Sequence, residues 1–116
     1  MLKKTSLEKI YINKKIETDE EGYLKNNQDW NITLAEKIAK KENIKLSTDH
    51  WKIIVFVRQF YLKFKTTPSM RMLISSLKNN IHKKNRNSVY LFNLFPKGPA
   101  KQASKIAGIP KPVKCL

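Results

Sequence analysis

The only cysteine of the chain, Cys115, lies one residue before the carboxyl end, in the sequence IPKPVKCL. A thiolate is a nucleophile, and Lys111 and Lys114 favour this ionised form of the side chain, while the terminal carboxylate opposes it. Pro110 and Pro112 bias the segment toward an extended polyproline II conformation, which reduces the entropy lost when it becomes ordered. This arrangement suits a thiol that is delivered into a cleft of another protein. A frayed basic tail with an incidental cysteine is the alternative interpretation, because chain ends are commonly disordered.

Other candidate chemical groups are few. A single cysteine excludes an internal disulfide and a cysteine-based zinc site. His50 and His82 are far apart in the sequence and have no ligand-like neighbours, so no metal site is predicted. His50 falls in the first turn of a predicted helix, where capping or packing is expected, and Asp19 to Glu21 form a solvated acidic turn. Arg58 lies inside an apolar stripe, which predicts an internal structural ion pair rather than an anion site.

The net charge of the 116-residue chain is +15, which indicates nucleic acid or an acidic surface as a partner. A compositional origin is the competing interpretation, because 21 lysines accompany only 3 arginines, with 10 asparagines and 12 isoleucines. An A/T-rich coding sequence produces this bias. No apolar run is long enough for a signal peptide or a membrane span, so we expect a cytoplasmic protein.

The spacing of apolar residues, together with N-cap and helix-stop residues, predicts five helices. They lie near 32–42, 48–64, 68–81, 88–95 and 98–108. Asn31 and Thr33 are both N-cap types for the first helix, and Thr33 with Glu36 fits a capping box. Ser47 or Thr48 is expected to cap the second helix, and Asn87 or Ser88 the fourth. Thr67 is expected to cap the third helix, with Pro68 at its first position, and Gly108 to end the last one.

The second predicted helix is apolar on two faces. One stripe contains Trp51, Ile54, Val55, Arg58 and Leu62, and the other contains Ile53, Val57, Phe60 and Phe64. A helix with two apolar faces is normally the central helix of a core. We therefore expect the chain to fold around residues 48–64.

Alternating apolar and polar residues in the region 9–24 predict a short β-hairpin that turns at Asn13-Lys14, with a second turn at Asp19 to Gly22. The predicted fold is mainly α: a small orthogonal helical bundle with a short N-terminal β-hairpin and an extended, flexible C-terminal arm. We expect residues 1–116 to form one domain. Its parts are the hairpin region 9–24, the helical core 31–108, and the mobile arm 109–116, which carries Cys115.

Four stretches of the sequence carry a resemblance to a known family. They are IETDEEGYLKNNQDW (16–30), LSTDHWKIIVFVRQFY (46–61), PSMRMLISSL (68–77) and YLFNLFPKGPAKQASKIAGIPKPVKCL (90–116). The last stretch is highly specific, because it joins the helix start LFPKGPAKQA, the segment GIPKP and a penultimate cysteine. On these residues the chain resembles the DsrC/TusE family of sulfur carriers, and within it the TusE branch.

The resemblance implies a cytoplasmic sulfurtransferase that carries persulfide sulfur on Cys115. It implies a TusBCD-like complex as the donor and a tRNA 2-thiouridylase similar to MnmA as the acceptor, for thiolation of the wobble uridine. It implies no metal or organic cofactor. The surrounding residues, namely Pro110, Lys111, Pro112 and Lys114, are then candidates for partner docking and for tuning the thiol.

Two other functions remain as alternatives. The DsrC branch of the family serves dissimilatory sulfite reductase and has a second cysteine where this sequence has Ser104, which disfavours that role here. A nucleic-acid-binding regulator is the other alternative, because the consecutive helices near 48–64 and 68–81 and the positive charge are compatible with a helix-turn-helix.

Overall fold

The computed structural model of the chain describes residues 16–80 and 87–112. The sequence predictions for residues 9–15, Ile81, His82 and 113–116 lie outside these residues. Within them the chain forms five α-helices and one short 3₁₀ helix, Asn27–Asp29. The α-helices are α1 (Ile32–Lys41), α2 (Thr48–Phe64), α3 (Met70–Asn80), α4 (Ser88–Leu94) and α5 (Pro99–Ile106). The prediction of a mainly α fold is confirmed.

Polar side chains begin α1 and α3: Asn31, one of the two predicted candidates, caps α1, and Ser69, which was not predicted, caps α3. The Asn31 side chain accepts a hydrogen bond of 2.8 Å from the backbone N–H of Leu34, so α1 begins directly after Asn31. The Ser69 hydroxyl accepts a bond of 3.3 Å from the N–H of Met72 at the start of α3. The predicted caps at Thr33 and Thr67 are therefore wrong, because a nearer side chain already bonds the free N–H groups of each first turn.

The last helix lies at the centre of the packing. α5 contacts each of the other four α-helices, and α2 also packs against α3. The buried apolar core includes Ile53, Ile54 and Val57 of α2, Leu73 and Leu77 of α3, Leu91 and Leu94 of α4, and Ala103 and Ile106 of α5. The helix that leads toward Cys115 is thus held on several sides by the core.

Each of the two apolar stripes of α2 is buried in part and exposed in part. Val55 and Leu62 are each 44% exposed, and Phe64 is 54% exposed. Trp51 is only partly buried at the edge of the core. The prediction that the chain folds around residues 48–64 therefore holds only in part: α2 contributes Ile53, Ile54 and Val57 to the core, but α5 is the helix that contacts each of the other four.

The N-terminal part of the described chain forms the predicted turn at Asp19 to Gly22. The Asp19 carboxylate accepts hydrogen bonds from the N–H groups of Glu21 and Tyr23, at 2.9 and 3.0 Å. A single antiparallel bridge joins Thr18 to Leu24. Residues 16–24 contain no longer strand pairing, and the rest of the predicted hairpin lies outside the described residues.

Candidate functional site

The chain leaves α5 toward Cys115 through a glycine-containing C-cap. Gly108 has a φ of 72°, in the left-handed region that glycine adopts without strain. Its N–H donates to the carbonyl of Lys105 at 3.2 Å, and the N–H of Ile109 donates to the carbonyl of Ser104 at 3.1 Å. This pair of bonds is a Schellman motif, which satisfies the last carbonyls of the helix and fixes the direction in which the chain continues.

Trp30 lies directly against Gly108. Its indole Nε1 donates a hydrogen bond of 2.7 Å to the carbonyl of Ile106. A Cβ atom at position 108 would lie 2.3 Å from Cδ1 and 2.7 Å from Cγ of the indole. Only glycine fits under this ring, so two separate constraints, the φ angle and the contact, select the same residue.

Arg58 joins the same cluster from α2. Its two terminal nitrogens donate to the carbonyls of Ala107 and Asn27, each at 2.9 Å, and its Cζ lies 4.3 Å from the centroid of the Trp30 ring. A cation near a helix C-terminus is favourable, although burial lowers the pKa of Arg58. The predicted structural role of Arg58 agrees with this geometry. Its bonding partners are backbone carbonyls, however, so the predicted ion pair is wrong.

The sequence interpretation did not identify Trp30 as part of the site. The available signal was a large aromatic residue in the polar stretch NNQDWN, which indicates that the ring packs against something distant in the sequence. Gly108 was predicted as a helix stop, but its contact with Trp30 joins residues far apart along the chain. No local pattern encodes such a pair.

The segment after Gly108 continues along the folded domain. Ile109 is fully buried and Pro112 is also buried, whereas Pro110 is exposed. The Lys111 ammonium contacts both carboxylate oxygens of Glu21, at 2.8 and 3.1 Å, and both side chains are well exposed. The predicted boundary between core and arm, placed before Ile109, therefore has to move toward the C-terminus. Lys114 and Cys115 lie outside the described residues.

Ser104 lies on α5 and is buried. It occupies the position at which the family resemblance implies a second cysteine in the DsrC branch. A serine hydroxyl forms no disulfide, and the chain has only one cysteine. An intramolecular disulfide to Cys115 is therefore excluded.

His50 has a structural role, as predicted. Its Nδ1 accepts a hydrogen bond of 3.0 Å from the N–H of Ser47, which leaves Nε2 to donate to the carbonyl of Leu94 at 2.7 Å. Its ring also packs edge-on against Phe95, with centroids 5.2 Å apart. Burial lowers the pKa of His50, while its bond to Leu94 and the nearby charge of Asp49 act in the opposite direction. The neutral imidazole thus ties α2 to the end of α4.

Neither a cluster of metal ligands nor a membrane-spanning helix occurs in the described part of the chain. Across residues 16–80 and 87–112, no three His, Cys, Asp or Glu side chains come together in a way that could hold a metal ion. Over the same residues, no helix has the length and apolar character needed to cross a membrane.

The fold and the site define a class of protein: a small helical domain whose most enclosed helix is anchored at its end and leads into a C-terminal segment with the only cysteine. The family model described as DsrC like protein matches residues 11–116. The chain belongs to the DsrC-like family, as the sequence resemblance predicts.

Relatives with assigned names cover most of the chain. It is 69% identical over 107 residues to the sulfurtransferase TusE of Buchnera aphidicola subsp. Acyrthosiphon pisum (strain APS), covering 92% of this chain and 94% of that protein. It is 55% identical over 107 residues to the sulfurtransferase TusE of Escherichia coli (strain K12), covering 92% and 98%. The shared name of these relatives confirms the predicted sulfurtransferase class.

A solved structure has the same fold. The crystal structure of the oxidized gamma-subunit of the dissimilatory sulfite reductase (DsrC) from Archaeoglobus fulgidus superposes with a TM-score of 0.81 at 39% sequence identity. The match covers 89% of this chain and 94% of that chain. The helical architecture described above is therefore the architecture of the family.

Proposed function

We propose that this chain is a cytoplasmic sulfur carrier that holds sulfur as a persulfide on Cys115. The observation that carries the proposal is the extent of the family match, which runs to residue 116 and so includes the segment with the only cysteine. The name sulfurtransferase, shared by relatives of almost the same length, gives further support.

The proposed chemistry needs only thiols. The Cys115 thiolate attacks the outer sulfur of a donor persulfide, R–S–SH. The S–S bond of the donor breaks, a new S–S bond forms on Cys115, and the donor leaves as the thiolate R–S⁻. The transferred sulfur keeps its proton, and the chain is then a persulfide. An acceptor thiolate repeats the same displacement and releases the Cys115 thiolate, so the relay is balanced without an oxidant or reductant.

The proposed partners are a TusBCD-like donor complex and an MnmA-like tRNA 2-thiouridylase. Such a relay needs a fixed body and a segment that reaches two different clefts. The cluster of Trp30, Arg58 and Gly108 supports this division, because it fixes the end of α5 to the core directly before the cysteine-bearing segment. Partner docking is proposed for the segment residues Pro110, Lys111 and Lys114. Pro112, which the sequence also suggested for docking, is buried and instead holds the segment against the domain.

The ion pair of Lys111 with Glu21 does not prevent docking. Both groups are well exposed, and such surface pairs contribute about 0–1 kcal/mol. An acidic group of a partner can therefore replace Glu21 at little cost in free energy. In this role Lys111 would exchange an internal carboxylate for one on the donor or acceptor.

The two alternative functions are less well supported. The Archaeoglobus fulgidus protein is a subunit of a sulfite reductase, but the buried Ser104 leaves no second thiol for paired-cysteine chemistry in this chain. The nucleic-acid alternative has one favourable observation, namely that Arg71 and Lys78 of α3 are exposed. Removal of the cysteine-bearing segment distinguishes the two functions, because a sulfur carrier would lose its activity and a nucleic-acid-binding protein would keep most of its affinity.

The test is a reconstituted relay with sulfur-35. A cysteine desulfurase, labelled cysteine, the donor complex, the thiouridylase and tRNA are combined with the wild-type chain, with Cys115→Ser, or with a chain truncated after Pro112. This truncation removes Cys115 but keeps the buried Ile109 and Pro112, so the fold is preserved. We expect label in tRNA only with the wild-type chain. The proposal is contradicted if tRNA is labelled at the wild-type rate in the presence of either variant. If, in addition, the truncated chain binds nucleic acid as tightly as the wild type, the nucleic-acid-binding regulator is favoured.

A further inference from the structure

A surface groove lies where α3 begins, α4 ends and α5 begins. It has a volume of about 230 Å³ and is lined by Met70, Phe92, Lys97, Pro99, Ala100 and Lys101. Four of these residues belong to the specific motif LFPKGPAKQA. The sulfur chemistry of Cys115 does not explain why this motif should form an open groove on the surface.

The wall of the groove is held in place from below. The buried amide of Gln102 accepts a hydrogen bond of 3.0 Å from the N–H of Lys97 and donates one of 3.0 Å to Glu42. Gly98 has a φ of 117°, and a Cβ atom there would meet nothing within 4 Å. The loop is therefore fixed on its inner side and open on its outer side, as expected for a preformed docking surface.

Apolar side chains stand in solvent beside the groove. Phe92 is 47% exposed, and Val89, one helical turn earlier on α4, is 64% exposed. With Met70 they form an apolar surface around the two lysines, whereas Pro99 lines the groove but is itself buried. Exposed aromatic and aliphatic groups around a preformed groove are typical of protein interaction sites.

The charged side chains that line the groove, Lys97 and Lys101, are both positive. Lys97 and Lys101 form no ion pair with any described residue. Glu42 lies near enough for the charge of Lys97 to act on it, but its carboxylate is already bonded to Gln102 and Lys105. In the sequence, residues 50–116 contain 14 lysines and arginines and no aspartate or glutamate, whereas all nine acidic residues lie in 1–49.

We propose that this groove docks an acidic segment of a protein that exchanges sulfur with the chain. An apolar side chain of that segment would pack between Met70 and Phe92, and its carboxylates would bind Lys97 and Lys101. The partner is a protein rather than RNA because the wall is mostly apolar, whereas nucleic-acid interfaces are more polar and more strongly charged. The identity of the partner as a sulfur donor or acceptor rests on the function proposed above.

The distances along the chain are compatible with this role. α5 has eight residues, Pro99–Ile106, so its two ends are separated by about 12 Å at 1.5 Å per residue. The chain from Pro112, the last buried residue that the structure describes, to Cys115 covers three Cα–Cα steps and can extend at most about 10–11 Å. A partner bound at the start of α5 therefore lies one short helix away from the segment that carries Cys115.

The test measures binding without sulfur chemistry. Full-length Cys115→Ser chain is titrated into the TusBCD-like complex and into the MnmA-like enzyme at low and high salt. The groove variant adds Lys97→Glu and Lys101→Glu, and the matched control adds Lys45→Glu and Lys63→Glu, which are exposed and change the net charge equally. A third variant adds Phe92→Ser. Thermal unfolding verifies that each variant is folded.

For at least one of the two proteins, we expect the groove variant to weaken binding by roughly tenfold at low salt, and the control by less than about threefold. The deficit of the lysine variant should shrink at high salt, while that of Phe92→Ser should not. Equal losses in groove and control variants overturn the inference, as does unchanged binding. The inference is also overturned if the Cys115→Ser chain with an intact groove binds neither protein. It is overturned as well if the groove variant loses binding to tRNA but keeps its binding to both proteins.

A separate measurement distinguishes this inference from the proposed function. Chains with Cys115 intact are loaded with a low-molecular-weight persulfide, which needs no docking. Both proposals are supported if the groove variant accepts sulfur from the small persulfide at the wild-type rate but accepts it slowly from the donor complex. No sulfur on wild-type Cys115 from any source refutes the sulfur relay, while the binding titrations still decide whether the groove docks a protein.

Discussion

Replacement of Gly108 by alanine tests the architecture at the base of the cysteine-bearing segment. An L-residue in the left-handed region costs about 1–2 kcal/mol of strain. The added methyl group would also lie 2.3 Å from the Trp30 ring, which Ile106 and Arg58 hold in place. Overpacking of this kind costs typically about 1–3 kcal/mol. We therefore expect Gly108→Ala to lower the free energy of unfolding by about 2–5 kcal/mol, a large part of the stability of a small domain.

Urea unfolding of four chains measures this effect: the wild type, Gly108→Ala, Trp30→Ala and the double variant. Because removal of the ring relieves the clash, the double variant should be less destabilised than the sum of the single ones. Gly22→Ala is the matched control, since its φ is 95° but its Cβ would meet only Lys105, at 3.8 Å. Gly108→Ala with the stability of the control, or additive effects with Trp30→Ala, would refute the proposed contact.

Three further predictions concern separate parts of the molecule. The double variant Lys111→Gln, Lys114→Gln should slow alkylation of Cys115 modestly and should slow sulfur acceptance from the donor complex more. The difference between the two effects should shrink as the salt concentration is raised; equal losses that do not depend on salt would exclude electrostatic steering of the segment toward the donor. Burial lowers the pKa of His50 from 6.5, so the stabilisation linked to the neutral imidazole should be fully present above about pH 6.5 and should be lost as the pH falls through the lowered pKa. Urea unfolding at several pH values measures this loss, which His50→Gln should lack. Ile54→Ala should cost about 2–5 kcal/mol, and the partly buried Trp51 should cost less when replaced by alanine; the reverse order in thermal unfolding would contradict the packing of α2.

The helices could be predicted because their signals are local. Ser47 and Asn87 are N-caps that precede apolar residues at helical spacing, and both begin helices in the structure. Gly108 ends the last helix as predicted. Each of these features depends on residues within one or two turns of the chain, which a sequence displays directly.

The packing of the helices could not be predicted in the same way. Val55 and Phe56 are both apolar, but only their neighbours decide that Val55 is exposed and Phe56 partly buried. The contacts of Trp30 with Gly108 and with Arg58 depend on how three segments meet, and no spacing rule encodes such a meeting. For the same reason Ile109 reads as part of an arm in the sequence, although it is buried in the fold.

The central claim is that Cys115 carries sulfur, and intact mass spectrometry tests it without any assumption about the acceptor. The wild-type chain is incubated with a cysteine desulfurase, cysteine and the upstream relay proteins, and its mass is measured before and after reduction. The account predicts a gain of about 32 Da per sulfur atom accepted, located on Cys115, reversed by reductant and lost in Cys115→Ser. An unchanged wild-type mass with a donor that is shown to be competent, or an equal gain in Cys115→Ser, would contradict it.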